Sequence, residues 1–323
     1  MVNRSELISL AKTRYLKISV VVFTIILMLT LNSCEEVFVP EDVTAKNEYV
    51  IEGHIELSDL DMPAYVIISK SVSYFSNLDS LTFQQLYVDD ATVHVNDGDT
   101  DIKLDYVCIE DLDQLTQLKL LSEVGGKIFS KNYCLYIDKN NLLKKEAGKK
   151  YSLTIKHENN IITSQTTLAN RVNLDSIYFR DSPGKPNDTM TLLWGKIPDP
   201  AGEANYYQYD VKKRAFSTKT GNTLRDDAIF NGKTIDMPFP NPLSFNNEKF
   251  DPETANLYKR GDTLLFKWCT LDREHYEFWE SFQFSNNQGP FSSYVRSKDN
   301  IEGGIGIWGA YNCQVELLIV PKK

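Results

Sequence analysis

Short runs of alternating hydrophobic and polar residues recur along most of this chain. In the clearest run, residues 49–57, apolar side chains fall on one face, whereas Glu52, His54 and Glu56 fall on the other. A period of two is typical of a β-strand with one buried face. Residues 112–121 fit either one short helix or a loop. We predict further strands over the following ranges: 64–70, 91–95, 102–108, 151–155, 174–179, 189–194, 206–216 and 263–269. Many short strands with little helix predict an all-β fold built from β-sandwiches.

The predicted strands fall into two groups, which a polar link near residue 168 separates. The second group contains a strand with Trp194, a proline-rich turn at 198–202 and then a tyrosine-rich strand. This order is similar to that of fibronectin type III sandwiches, a similarity of fold that carries no function with it. We therefore predict two β-sandwich (immunoglobulin/fibronectin III-like) domains, over residues 47–168 and 169–323.

One short C-terminal helix is predicted over residues 273–283. Asp272 precedes it and is a typical N-cap residue. Tyr276, Trp279 and Phe282 recur every three residues along it, so we expect this stripe to pack on a sheet.

A long polar stretch over residues 217–259 is predicted to be a loop. It carries four phenylalanines among prolines and asparagines, namely Phe230, Phe239, Phe245 and Phe250. Rigid aromatic side chains on an irregular loop are typical of a binding surface. The alternative is that these rings hold the loop against the sandwich.

The first 33 residues have the composition of a lipoprotein signal peptide. They comprise basic residues, an uncharged apolar stretch over 18–31, and the small residue Ser33 directly before Cys34. The apolar stretch is shorter than the roughly 20 residues of a spanning helix. We therefore predict that residues 1–33 are removed, that Cys34 carries acyl chains such as palmitate, and that residues 34–46 form a tether. An ordinary cleaved signal followed by a chance cysteine is the alternative.

The charge of the chain argues against a nucleic-acid partner and against an anionic membrane surface as a partner. The net charge is −9, and removal of residues 1–33 would leave about −12, because that segment holds four basic residues and one acidic residue. Phosphate-rich surfaces are bound by clustered Lys and Arg. We therefore expect no nucleic-acid partner and membrane association only through the lipid anchor.

Four cysteines remain after Cys34, two in each half of the chain. This even split favours the pairs Cys108–Cys134 and Cys269–Cys313 among the three possible pairings. Each such bond would contribute on the order of 3 kcal/mol. Four buried free thiols are the alternative.

The sequence lacks the common catalytic motifs. The glycines over 304–309 formally spell a dinucleotide fingerprint, but no strand-helix-strand unit can follow them. We interpret them as a glycine-rich strand that passes close to a neighbouring backbone. His54 lies between two glutamates, for which a solvated strand face is favoured over a metal site. His275 is expected at the surface. We predict no catalytic residue, no cofactor and no metal.

Five segments have a recognisable sequence: 49–55, 148–155, 261–263 and, most specific, the C-terminal segments 287–293 and 300–311. Together they resemble a family of Bacteroidota outer-membrane lipoproteins called domain of unknown function 4249. The resemblance implies a lipoprotein encoded beside a TonB-dependent transporter, with no enzymatic activity. Glu35 and Glu36, directly behind the lipid-bearing cysteine, resemble a signal for export to the cell surface.

Together these features predict a lipid-anchored outer-membrane accessory protein that faces the cell surface. It is expected to be non-catalytic and to assist a TonB-dependent transporter in binding or taking up a small ligand, glycan or peptide. The alternatives are an adhesive or structural surface lipoprotein and, less favoured, a glycan or peptide hydrolase.

Overall fold

The computed structural model describes residues 48–72, 86–124, 133–181, 189–213, 223–242, 253–254, 256–286 and 297–323. Residues 45–323 form one compact unit. Within the described ranges, no helix has the length and apolar character needed to cross a membrane. Cys34, the predicted signal peptide and the predicted tether lie outside the described residues.

Strands dominate the described chain, as the alternating pattern predicted. They are β1 (Tyr49–Leu57), β2 (Tyr65–Lys70), β3 (Thr92–Asn96), β4 (Asp101–Lys103), β5 (Asp105–Cys108), β6 (Cys134–Ile137), β7 (Lys150–His157), β8 (Asn160–Thr167), β9 (Ser176–Arg180), β10 (Met190–Pro198), β11 (Tyr206–Lys212), β12 (Leu224–Asp226), β13 (Thr234–Phe239), β14 (Tyr258–Lys259), β15 (Thr263–Leu271), β16 (Ile301–Glu302) and β17 (Ile305–Ile319). The helices are a short 3₁₀ turn (Ile109–Asp111), α1 (Gln114–Val124) and α2 (Arg273–Asn286). The all-β prediction is confirmed. Residues 112–121, which fitted either a helix or a loop, lie largely in helix α1.

The strands form one large sheet and two smaller sheets. The large sheet has the order β12-β11-β15-β17-β1-β2-β6-β5, and a five-stranded sheet has the order β16-β8-β7-β3-β4. In the third sheet β10 lies between β9 on one side and β13 and β14 on the other. The central pair β1 and β17 is parallel, and the other pairs of the large sheet are antiparallel.

Both smaller sheets pack on the same face of the large sheet. Ile51 and Trp308 of the large sheet share one core with Ile155 of the five-stranded sheet. Trp268 of the large sheet shares a second core with Leu193 of the third sheet. Two sandwiches therefore share one sheet.

The first core and the large sheet each draw on residues from both sides of the predicted boundary at residue 168. The large sheet takes four strands from each half of the chain, and the two groups meet where β17 pairs with β1 on one side and with β15 on the other. Strand β17 accordingly contributes Trp308 to the first core and Val320, just after its end, to the second.

The predicted loop 217–259 is wrong in part, because it contains the strands β12, β13 and β14. Phe239 pairs with Leu193 across β13 and β10 and is fully buried. Pro238 is tolerated in β13 because this strand is an edge of its sheet, where a missing N–H breaks no ladder bond.

The two helices cover the opposite face of the large sheet. Leu120 of α1 packs against Ile67 and Leu135, and Tyr276 of α2 packs against Leu271. The predicted helix over 273–283 is confirmed and extends to Asn286. Its stripe packs on the sheet as expected at Tyr276, and Phe282 remains 41% exposed.

Asp272 caps helix α2 as predicted and also ties it to a neighbouring sheet. The Asp272 Oδ1 atom accepts a hydrogen bond from the His275 amide at 2.8 Å. Its Oδ2 atom accepts bonds from the Thr166 hydroxyl at 2.8 Å and the Thr167 amide at 2.7 Å. One carboxylate thus fixes the start of α2 relative to β8.

The four described cysteines form two disulfides. Cys108 bonds to Cys134 across β5 and β6, and Cys269 bonds to Cys313 across β15 and β17. These are the pairs that the even split of the cysteines favoured. Both bonds join neighbouring strands of the large sheet.

Candidate functional site

A cluster of buried charged side chains lies on the helix-covered face of the large sheet. Its members come from four elements: Glu56 of β1, Asp210 and Lys212 of β11, Lys267 of β15 and Glu123 of α1. They lie on this face because strand side chains alternate and the neighbouring residues, such as Phe266 and Trp268, fill the cores on the opposite face. We call these five residues the charge cluster.

Opposite charges alternate through the charge cluster. The Lys267 ammonium donates to Glu56 Oε2 at 2.6 Å and to Glu123 Oε1 at 2.8 Å. The Lys212 ammonium donates to the same Glu123 oxygen at 2.6 Å and lies 3.5 Å from Asp210 Oδ2. Glu123 is therefore shared by two lysines, and it ties helix α1 to β11 and β15.

Burial and the lysine act on Glu56 in opposite directions. The Glu56 residue is 1% exposed, and this burial by itself would raise the carboxyl pKa. The Lys267 ammonium and the hydrogen bond from His54 outweigh it and lower the pKa of Glu56 to about 2. Burial likewise opposes the charge of Lys267, but the carboxylates of Glu123 and Glu56 raise the Lys267 pKa above its ordinary value. Both groups are thus charged at neutral pH.

His54 is buried beside the charge cluster, so the expected solvated strand face is wrong. Its Nε2 atom lies 3.3 Å from Glu56 Oε2. Its ring stacks on Tyr65 with centroids 5.2 Å apart and lies 4.7 Å from the Tyr311 ring. The alternation correctly placed His54 and Glu56 away from the core, but the helices bury that second face.

The cluster contains a group with metal-ligand chemistry. One ligand atom each from His54, Glu56 and Glu123 lies within 4.8 Å of the others, and imidazole with carboxylates suits divalent metals. Both carboxylates, however, already bind the Lys267 ammonium. A metal ion would have to displace a neighbouring positive charge, so these contacts fit an internal ion pair better than a metal centre.

The contacts of Glu56 also bear on the alternative that the protein is a glycan hydrolase. A general acid for glycoside hydrolysis must hold a proton, which requires a raised carboxyl pKa. The pKa of Glu56 is instead lowered to about 2. Glu56 therefore lacks the property that a general acid needs.

A second buried group joins helix α2 to the start of β17. His275 is 1% exposed, so its expected surface position is wrong. Its Nε2 atom accepts a bond from Trp279 Nε1 at 3.0 Å, and its Nδ1 atom lies 3.2 Å from the Ala310 carbonyl oxygen. A carbonyl only accepts, so we assign the proton of a neutral imidazole to Nδ1.

The glycines over 304–309 serve close packing, as the sequence indicated. A Cβ at Gly309 would overlap the His275 ring, and a Cβ at Gly306 would overlap the Ile51 carbonyl oxygen. Gly306 also has a φ of +119°, in the region that favours glycine. These residues let α2 and β1 approach β17 closely.

The aromatic residues predicted to form a binding loop do not form one in the described chain. Phe230 is 3% exposed and stacks near Tyr207, and Phe239 is fully buried. The alternative, that the rings hold this segment on the sandwich, is correct for both. Phe245 and Phe250 lie outside the described residues.

Sequence reasoning missed four members of the charge cluster, namely Asp210, Lys212, Lys267 and Glu123. The available signal was Lys267 itself, a lysine inside the apolar run Leu264–Cys269 of a predicted strand. A lysine at such a position requires a buried partner. Nothing in the sequence identifies Glu123 as that partner.

The fold and the site together define an all-β protein in which two sandwiches share one sheet and a charge cluster lies beneath two helices. The chain belongs to the family described as Domain of unknown function (DUF4249), whose model matches residues 35–316. The predicted resemblance to domain of unknown function 4249 is thereby confirmed. No curated protein matches the chain significantly.

Proposed function

We propose that this protein is a lipid-anchored accessory protein of the outer membrane that assists a TonB-dependent transporter. The observation that carries the proposal is the position of Cys34. It follows a signal-like segment in the sequence, and the family match begins at the next residue, 35. Residues 1–34 thus lie outside the part of the chain that the family model matches.

The number of residues between the proposed anchor and the first strand suits a tether. Strand β1 begins at Tyr49, so residues 35–48 connect the two. At 3.3–3.6 Å per residue this connection reaches at most about 50 Å. Such a tether raises the effective concentration of the folded unit near a membrane partner.

The two disulfides of the folded unit support the proposal that the protein is exported. Two disulfides cross-link the large sheet, and disulfides persist mainly in oxidising compartments. The assignment to a transporter, to the cell surface and to a non-catalytic role follows from the family resemblance and from the acidic residues behind Cys34. The cargo would be a small ligand, glycan or peptide.

Substitution of the anchor tests the first half of the proposal. We expect Cys34→Ala to release the protein from the outer-membrane fraction and to remove acyl chains detected by mass spectrometry. Ser33→Ala, which keeps a small residue before the cysteine, is the matched control and should remain membrane-bound. Full membrane association of Cys34→Ala would contradict the lipoprotein assignment.

Co-purification tests the second half of the proposal, namely that the protein assists a TonB-dependent transporter. We expect the wild-type protein, cross-linked in its host and extracted in detergent, to recover a TonB-dependent transporter. Cys34→Ala serves as the untethered control and should recover less. Recovery of no transporter from cross-linked outer membranes would leave the adhesive or structural alternative as the better description.

A further inference from the structure

The large sheet has an open edge at its centre. Strand β1 runs beside β17 only as far as the pair Leu57 and Asn312. On its other side β17 stays paired with β15 up to Ile319. Within the described part of the chain, no strand takes the place of β1 beside residues 313–319.

The disulfide shows which backbone groups point toward this edge. The Cα atoms of Cys269 and Cys313 are 4.0 Å apart, a spacing typical of an antiparallel pair that exchanges no hydrogen bonds. The odd-numbered residues of β17 therefore direct their N–H and C=O groups away from β15. Consistently, the Val320 amide donates to the Asp262 carbonyl at 2.8 Å, and the Arg171 guanidinium donates to the Cys313 carbonyl at 2.8 Å from the open side.

Three residues beyond Cys313 follow the same rule, namely Val315, Leu317 and Ile319. Among the described residues, no group hydrogen-bonds to their main chain from the open side. Leu317 is 70% exposed and Ile319 is 72% exposed. Natural proteins usually protect such an edge with a lysine, a proline or a bulge, yet this stretch contains neither lysine nor proline.

We propose that the open edge over residues 315–319 accepts an extended segment of another protein as an added strand. The outward groups of three residues offer about six backbone hydrogen bonds, which is the mode of β-strand addition. Exposed Leu317 and Ile319 would contact apolar side chains at alternate positions of the incoming segment. Exposed Lys322 lies just past this edge and favours an acidic residue at the near end of that segment.

Two considerations decide what binds at the open edge, namely the continuity of the sheet and the surface area that the contact would bury. The incoming strand would continue the position that β1 leaves at Leu57. Two copies of this protein joined only by five residues each would bury far less than the roughly 1,000 Å² of a stable interface. A partner held nearby by other means is therefore a better occupant than a second copy. This inference does not depend on the transporter proposal.

Backbone hydrogen exchange on the full chain in detergent gives the sharpest test. The probe is a seven-residue peptide of alternating valine and threonine with one terminal glutamate, and the same peptide with a central proline is the control. At saturating peptide we expect at least tenfold slower exchange at the amides of Val315, Leu317 and Ile319. The amides of Glu316 and Leu318, which face β15, should change little. Equal change at odd and even positions, or no change, would overturn the proposal.

Two variants of one residue test the role of the backbone. Leu317→Pro removes an outward N–H that has no ladder partner among the described residues, and we expect peptide affinity to fall at least tenfold with the melting temperature kept. Leu317→Thr keeps the N–H and should lose less affinity. If Leu317→Pro does not fold, Leu317→Lys replaces it, with the same expected loss. Equal binding by the wild type and the variants refutes the proposal, and concentration-dependent protection without peptide would assign the edge to a second copy instead.

Discussion

Replacement of Lys267 by methionine tests the charge cluster most directly, because it removes the ammonium while keeping a long side chain. Glu56 and Glu123 would remain buried without their shared cation. Removing one partner of a buried ion pair destabilises a protein by about 3–5 kcal/mol. The pKa of Glu56 gives a similar magnitude, because a fall from 4.5 to about 2 corresponds to about 3 kcal/mol. We expect the free energy of unfolding, measured by urea titration at pH 7, to fall by this amount.

The pH dependence distinguishes loss of the ion pair from a simple packing defect. The folded pKa of Glu56, about 2, lies below its ordinary value of 4.5, so its contribution is complete above pH 4.5. This contribution is lost as the pH falls from 4.5 toward 2. The difference in unfolding free energy between wild type and Lys267→Met should therefore shrink over the same range.

A matched control and a rescue complete the test of the charge cluster. Lys298 lies 3.4 Å from Glu277 Oε2 with its side chain 61% exposed, so Lys298→Met should lower stability by less than about 1 kcal/mol. Adding Glu56→Gln to Lys267→Met removes one uncompensated charge and should recover part of the loss. Equal effects of Lys267→Met and Lys298→Met, or a difference that does not change with pH, would refute the reasoning.

Three further predictions concern the packing of β17 and α2. Gly309→Ala places a methyl group where the His275 ring lies and should destabilise the protein by about 1–3 kcal/mol. The control Gly98→Ala has open space around it and should show only the conformational penalty of about 1 kcal/mol. Comparable melting temperatures for the two variants would contradict the close approach of His275 to Gly309. The Cys269–Cys313 bond closes a separation of 44 residues. In urea titration, the free energy of unfolding of a Cys269→Ala/Cys313→Ala variant should therefore be about 4 kcal/mol lower than that of the wild type. Peptide mapping without reduction that finds other cysteine pairs would disprove the assignment. Asp272→Asn keeps an N-cap oxygen for the His275 amide but replaces the oxygen that accepts from Thr166 and Thr167 with an NH2 donor. Asp272→Ala should therefore lower stability more than Asp272→Asn, by about 1 kcal/mol. An identical effect of both variants would show that the N-cap bond has no role.

The element types were predictable from sequence because each depends on a local pattern. Alternation identified β1 with its correct bounds, and a capping aspartate with an aromatic stripe identified α2. The error over residues 217–259 has a physical origin. Prolines and asparagines in that stretch indicate a loop, but pairing of β13 with β10 compensates for them at a sheet edge.

The candidate site was not predictable, because its members are distant in the chain. Glu56, Glu123 and Lys267 meet only after β1, β15 and α1 are assembled. The alternation around His54 showed on which face of β1 its side chain lies, but it could not show that helices cover that face. A buried polar residue and an exposed one have the same local pattern.

The sequence by itself determined the strand periodicity, the cysteine pairing that it favoured and the family to which the chain belongs. These properties reside in neighbouring residues or in composition. The tertiary structure alone decided that one sheet serves both sandwiches, that opposite charges meet beneath two helices, and that β17 keeps an open edge past Asn312. Those outcomes depend on which strands pair and where each pairing stops, and no short stretch of residues encodes that information.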